Sequence, residues 1–136
     1  MNHGVDTFLQ PEGMALPRGH YSHATSGAGL VFVSGQLPVS PDGTVLSDAP
    51  FEAQAMQVLA NVAASLVGAG SSVDRLLHVR VYILDIEQWP QFNQLYAEWT
   101  GGARPARAVV PVPALHYGCA LEVEAVALAS PQPAAA

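Results

Sequence analysis

The chain has 136 residues, half of them hydrophobic, enough for one core of ordinary size and too few for two independent domains. Its formal charge of −6 is carried with five scattered arginines and no lysine, which argues against a phosphate-backbone footprint and excludes a lysine Schiff base, covalently held pyridoxal phosphate and a P-loop lysine. A single cysteine, Cys119, excludes an intrachain disulfide framework and paired-thiol metal sites, and neither a membrane-length apolar run nor a secretory pattern in MNHGVDTFLQ is visible. A cytoplasmic protein with no membrane or nucleic-acid partner is expected.

In chain order, Gly, Pro, Ser and Asp punctuate the first 50 residues, with β-rich pieces over His20 to Thr25 and over Leu30 to Ser34, the latter ended by Gly35. From Phe51 to Val67 the residues Phe51, Ala55, Val58, Leu59, Val62, Ala63, Leu66 and Val67 mark one face of a helix. Pro50 suits its first turn, Glu52 its positive end, and Gly68 or Gly70 its stop. Leu77, Val79, Val81 and Ile83 alternate with polar residues as in a strand with one apolar face. Asp85 and Gln88 have capping-box spacing and open a second helix carrying Trp89, Phe92, Asn93, Tyr96 and Trp99, closed by Gly101-Gly102. Two further strands are expected over Ala106 to Val112 and Cys119 to Ala129, joined by the loop at 113–118, before a flexible tail at 130–136. The order predicts an α+β domain with helices on one sheet face and a second face that oligomerisation would cover.

Alternation puts Arg107 and Val109 on one face of their strand and Glu122, Glu124, Val126 and Leu128 on one face of theirs. If these strands pair antiparallel around the loop, Arg107 lies near Glu122 or Glu124. Two readings stand: a cross-strand salt bridge, or a guanidinium shaped to hold a substrate carboxylate. His20 and His23, at odd spacing on a strand, point to opposite faces and argue for structural or surface roles over a metal site. His116 and Tyr117 lie in the loop, where polar aromatics are common. Asn93 on its apolar stripe serves either a site or a neighbouring loop.

Taken together, Tyr21-Ser-His-Ala24, Ser34-Gly35-Gln36, Phe51-Glu-Ala-Gln54, Asn61, Asn93-Gln-Leu-Tyr96, Pro105-Ala-Arg107 and Leu121-Glu-Val-Glu-Ala125 resemble the RidA/YjgF-type reactive-intermediate deaminases over roughly 15–129. The resemblance implies a chorismate-mutase-like α+β fold, with a mixed six-stranded sheet, two helices on one face, and a homotrimer whose sheets form a barrel with clefts between subunits. It implies hydrolysis of enamines or imines of 2-keto acids to keto acid and ammonia, without cofactor or metal. By the same resemblance Arg107 grips the substrate carboxylate, Glu122 activates water, and Tyr21, the Ser34-Gly35 backbone and Asn93 line the cleft. Val109 stands where many relatives have a cysteine, so pocket size, polarity and oxidant sensitivity can differ. Rival readings are a specialised pathway enzyme, such as a 2-aminomuconate-type deaminase or an imine cyclase, a non-catalytic binder of small carboxylates, and the ribonuclease, translation-inhibitor or chaperone-like roles ascribed to some relatives.

Overall fold

Residues 4–130 are described by a computed structural model; the last six positions of the expected tail lie outside them. The described residues form six strands and two α-helices in the order βββαβαββ. They are β1 (Asp6–Phe8), β2 (Ala24–Gly27), β3 (Leu30–Gln36), α1 (Phe51–Gly68), β4 (Leu76–Ile83), α2 (Trp89–Thr100), β5 (Ala106–Pro111) and β6 (Leu121–Leu128). The strands form one sheet in the order β1-β2-β3-β6-β4-β5, antiparallel except for the parallel pair β4 and β5.

Period-two burial decides the strands. Val31 and Val33 of β3, Val79, Val81 and Ile83 of β4, and Leu121, Val123, Ala125 and Ala127 of β6 are all buried on one face. Against that face packs α1, through Phe51, Ala55, Val58, Leu59, Val62 and Leu66. Phe92 and Tyr96 of α2 complete the same core. Gly70, at φ +82°, ends α1 in a Schellman motif: its own amide bonds to Val67 O and the amide of Ser71 to Leu66 O. Pro50 is the N-cap rather than a first-turn residue, because its extended ψ of 154° leaves only its carbonyl to accept the first helical bond, from Gln54. Asp85 caps a short 3-10 turn, Ile86–Gln88, through Glu87 N, and the α-helix begins one turn later than the sequence pattern suggests. The strand expected from His20 starts at Ala24, and β3 runs through Gly35 rather than stopping before it. A register shift between Leu76 and His78 turns Leu76 inward and leaves Leu77 42% exposed.

One expectation fails outright. β5 and β6 do not pair; β4 lies between them. Because α2 links β4 to β5, the two strands form a parallel crossover unit, and the loop after β5 carries the chain back to insert β6 between β3 and β4. Arg107 is therefore opposite Val79, whose side chain faces the helices, while Glu122 is opposite Tyr82 on the other face. The anticipated Arg107–carboxylate pair does not exist within one chain. Arg80, directly across from Glu124, is the cation that approaches it, at 3.7 Å, and Tyr82 also donates a hydrogen bond to that carboxylate. The face that carries these groups, with Phe32 and Leu128 more than 40% exposed, has no helix over it.

Candidate active site

The local geometry of Ser34-Gly35-Gln36 follows from one extra residue. Val33 pairs with Ala125 but Gln36 with Val123, so β3 carries three steps against two of β6 and bulges at Ser34-Gly35. Polar side chains hold the bulge. Gln36, buried, donates to His23 Nδ1 at 3.1 Å and to Ser34 O at 3.2 Å; His23 Nε2, assigned as the protonated nitrogen by these partners, donates to Ala15 O at 2.8 Å. Ser34 Oγ donates to Ser22 O at 2.6 Å, and Asn61 donates to Leu37 O and Val39 O. His23 is thus a structural residue tying the 15–23 strap to the sheet, and His20 is exposed.

The bulge brings Gly35 against the catalytic candidate on β6. A Cβ at Gly35 would lie 2.3 Å from Glu122 Oε2 and 3.0 Å from its Cδ, so only glycine leaves the carboxylate where it is. Glu122 opens into a cavity of about 420 Å³ walled by Tyr21, Ser34, Gly35, Arg18, His116 and Tyr117, among others. Burial raises its pKa above the ordinary 4.5; His116 opposes the rise and Glu124 adds to it. Tyr117 adopts φ +61°, rare for a bulky L-residue, and its ring lies under the Arg18 guanidinium at 5.3 Å. Arg18 in turn donates to the carbonyl of Gly43.

Arg107 and Asn93 line a second cavity of about 420 Å³ at the other sheet face, with Tyr96, Thr100 and Arg104. The Arg107 guanidinium lies between two rings, 4.9 Å from Trp89 and 4.7 Å from Tyr96, and no carboxylate is within ion-pair distance among the described residues. Attraction to the two rings holds the cation without engaging its N–H donors, which suits them to an anion. Tyr96 Oη is buried with no hydrogen-bond partner among the described residues, and burial raises its pKa. Asn93 is exposed and makes no side-chain hydrogen bond among the described residues. Val109 packs behind Arg107 against the core.

The structure thus gathers Tyr21, Ser34, Gly35 and Glu122 in one place and Arg107 and Asn93 in another, while Val109 lines neither cavity and packs against the core. Trp89 and Tyr96 belong to the Arg107 half-site but read in sequence as an apolar helical stripe; their position beside the βαβ crossover is what betrays them. Arg18 carried no signal at all in the sequence. Among the described residues no group of three or more His, Cys, Asp or Glu converges to hold a metal.

Residues 13–129 match the family model described as Endoribonuclease L-PSP. Protein HMF1 of Saccharomyces cerevisiae is 38% identical over 107 residues, 79% of this chain and 82% of its own length. The solved structure of YyfA from Yersinia pestis, described as a Rid-family protein of unknown function, is 32% identical with a TM-score of 0.86, covering 91% of this chain and 98% of that one. TdcF from E. coli, solved with bound serine, is 30% identical with a TM-score of 0.83 over 92% and 100% of the two chains. The chain belongs to the Rid, or Endoribonuclease L-PSP, family, and its mixed six-stranded sheet with two helices is that family's fold.

Proposed function

We propose that this protein hydrolyses enamines and imines of 2-keto acids, in sites shared between the copies of a homotrimer. The observation that carries the reading is the half-buried Glu122 carboxylate, held against the Gly35 backbone at the floor of a cavity with its pKa raised toward the range of a general base. A serine-bound relative supports an amino-acid-sized ligand with a carboxylate. Since Arg107 and Glu122 face opposite sides of one sheet, a site using both needs Arg107 from a second copy. The uncovered face with Phe32, Val126 and Leu128 offers the surface on which copies would meet.

In that site the second copy's Arg107 binds the carboxylate through two parallel hydrogen bonds. Glu122 takes a proton from water as the water oxygen bonds to the imine carbon and delivers it to nitrogen, giving a carbinolamine; it then takes the hydroxyl proton and passes it to nitrogen as the C=O bond forms and the C–N bond breaks, leaving keto acid and ammonia. No cofactor enters the balance. Free imines decay unaided, so orientation and one base suffice for a useful acceleration. The family description names an endoribonuclease, but the five arginines here form no continuous stripe: Arg80 is paired, Arg75 is bound to carbonyls, and the rest divide between two cavities. A cytoplasmic, RNA-independent role is the reading we hold.

An amino-acid oxidase coupled to semicarbazide trapping of its imine product tests this directly. The wild-type protein should suppress semicarbazone; Arg107→Ala and Glu122→Gln should each lower kcat/KM about 100-fold or more with the assembly intact. Near-wild-type rates in either variant would remove that residue from the mechanism, and no suppression by the wild type would leave a carboxylate-binding protein.

A further inference from the structure

The distribution of cations in this acidic chain is uneven. Of its five arginines, Arg80 approaches Glu124 and Arg75 donates to the carbonyls of Leu128 and Ala129. The other three, Arg18, Arg104 and Arg107, have no carboxylate within ion-pair distance among the described residues, and all three line the two cavities. A substrate with one carboxylate needs one bidentate guanidinium, and Arg107 supplies it. In a chain of charge −6, Arg104 beside Arg107 and Arg18 in the cavity of Glu122 place two more cations at these clefts than one carboxylate needs.

Arg18 is also held in place. Its hydrogen bond to Gly43 O and its stack on Tyr117 fix the guanidinium across the wall of the cavity that contains Glu122, leaving most of its five donors unused. The backbone of Tyr117 is in a conformation that persists only where its surroundings over-determine it, and the consequence of that conformation is a ring beneath Arg18. Arg18 and Glu122 line the same cavity of about 420 Å³, so an anion received by Arg18 lies in the space into which the carboxylate opens.

We propose that the substrate carries a second anionic group at the end of its side chain and that Arg18, from the copy that supplies Glu122, receives it: the imine or enamine of a 2-oxo dicarboxylic acid. The inference rests on the deaminase reading and names its substrate class. The reaction is the same hydrolysis, with water oxygen bonding to carbon, nitrogen leaving as ammonia, a 2-oxo dicarboxylate as product and the distal carboxylate unchanged. Arg18 touches the substrate's far end and takes no part in proton transfer.

The test compares two imines that differ only at that end, 2-iminoglutarate and 2-iminopentanoate, generated by amino-acid oxidases from glutamate and norvaline. Semicarbazide trapping then reads kcat/KM for the wild type, Arg18→Gln and Arg18→Lys. The wild type should prefer the dicarboxylate by roughly tenfold or more; Arg18→Gln should bring the ratio to about one, and Arg18→Lys should keep part of it. A wild type that favours 2-iminopentanoate, or a ratio that Arg18→Gln leaves in place, overturns the proposal. If neither imine is hydrolysed, the deaminase reading fails, and calorimetric binding of 2-oxoglutarate against 2-oxopentanoate decides the matter of Arg18. Tighter binding of the dicarboxylate that Arg18→Gln removes upholds the distal anchor in a binding protein, and equal binding overturns it.

Discussion

Gly35 lies against the Glu122 carboxylate, where an added Cβ would clash, and each constrains what the other can be. An alanine at Gly35 meets the end of a flexible side chain rather than backbone, so the carboxylate swings away and the fold absorbs the change. Gly35→Ala should therefore cost about 100-fold in kcat/KM, the scale expected for a catalytic group displaced by about 1 Å, while Tm moves by only a few degrees. Equal rates in the two proteins, measured beside thermal unfolding, would mean that the position of Glu122 does not matter. The titration of the same carboxylate gives a second prediction. Only the ionised form accepts a proton from water, so activity falls on the acid side as Glu122 protonates. His116 opposes the rise in its pKa; removing that opposition in His116→Gln raises the pKa further and moves the acid limb of the pH–rate profile to higher pH. A limb that stays put or shifts downward would exclude His116 as a neighbour that matters to the base.

At the scale of elements, Gln54 shows how α1 organises the chain around the site. Its buried side chain donates to Ser47 O and Ala49 O and accepts from Ala120 N, so a single helical residue joins the loop before α1 to the start of β6. Gln54→Ala strands those backbone groups and should destabilise the protein by about 2 kcal/mol, seen as a lower denaturant midpoint with an unchanged slope. Loss of less than about 0.5 kcal/mol would mean that water replaces the amide. The same element view explains Trp89 and Tyr96. They lie on the face of α2 that packs beside β5 because α2 is the crossover between β4 and β5, and this is how two residues of an apolar stripe become the walls around Arg107.

For the whole molecule, the two half-sites make a quantitative statement about assembly. Arg107→Ala keeps Glu122, and Glu122→Gln keeps Arg107. Unfolded together and refolded as random mixed oligomers, they should recover about one quarter of wild-type activity, because one junction in four unites an intact Glu122 with an intact Arg107. Activity no higher than the sum of the separate variants would place the whole site within single chains, or Arg107 outside it.

Much of this was legible in the residues. The apolar periodicities of α1 and β4 are local properties of the chain, and the faces they predicted are mainly buried, with Val67, 68% exposed past the end of the packed stripe, and Leu77 outside the core, because a period-two or period-3.6 pattern is written in the segment itself. The motifs around Ser34, Arg107 and Glu122 likewise marked the family. What periodicity could not carry is which strands are neighbours. Pairing is a relation between segments distant in sequence, and here a crossover helix set β5 beside β4 and left β6 to fill the gap. That one topological fact sends Arg107 and Glu122 to opposite faces and assigns Glu124 to Arg80. The sequence by itself determined the elements, the buried faces and the chemical groups available. Only the tertiary structure decided which of those groups share a space, since that depends on strand order and on the bulge at Ser34-Gly35, both products of long-range packing rather than of any local pattern.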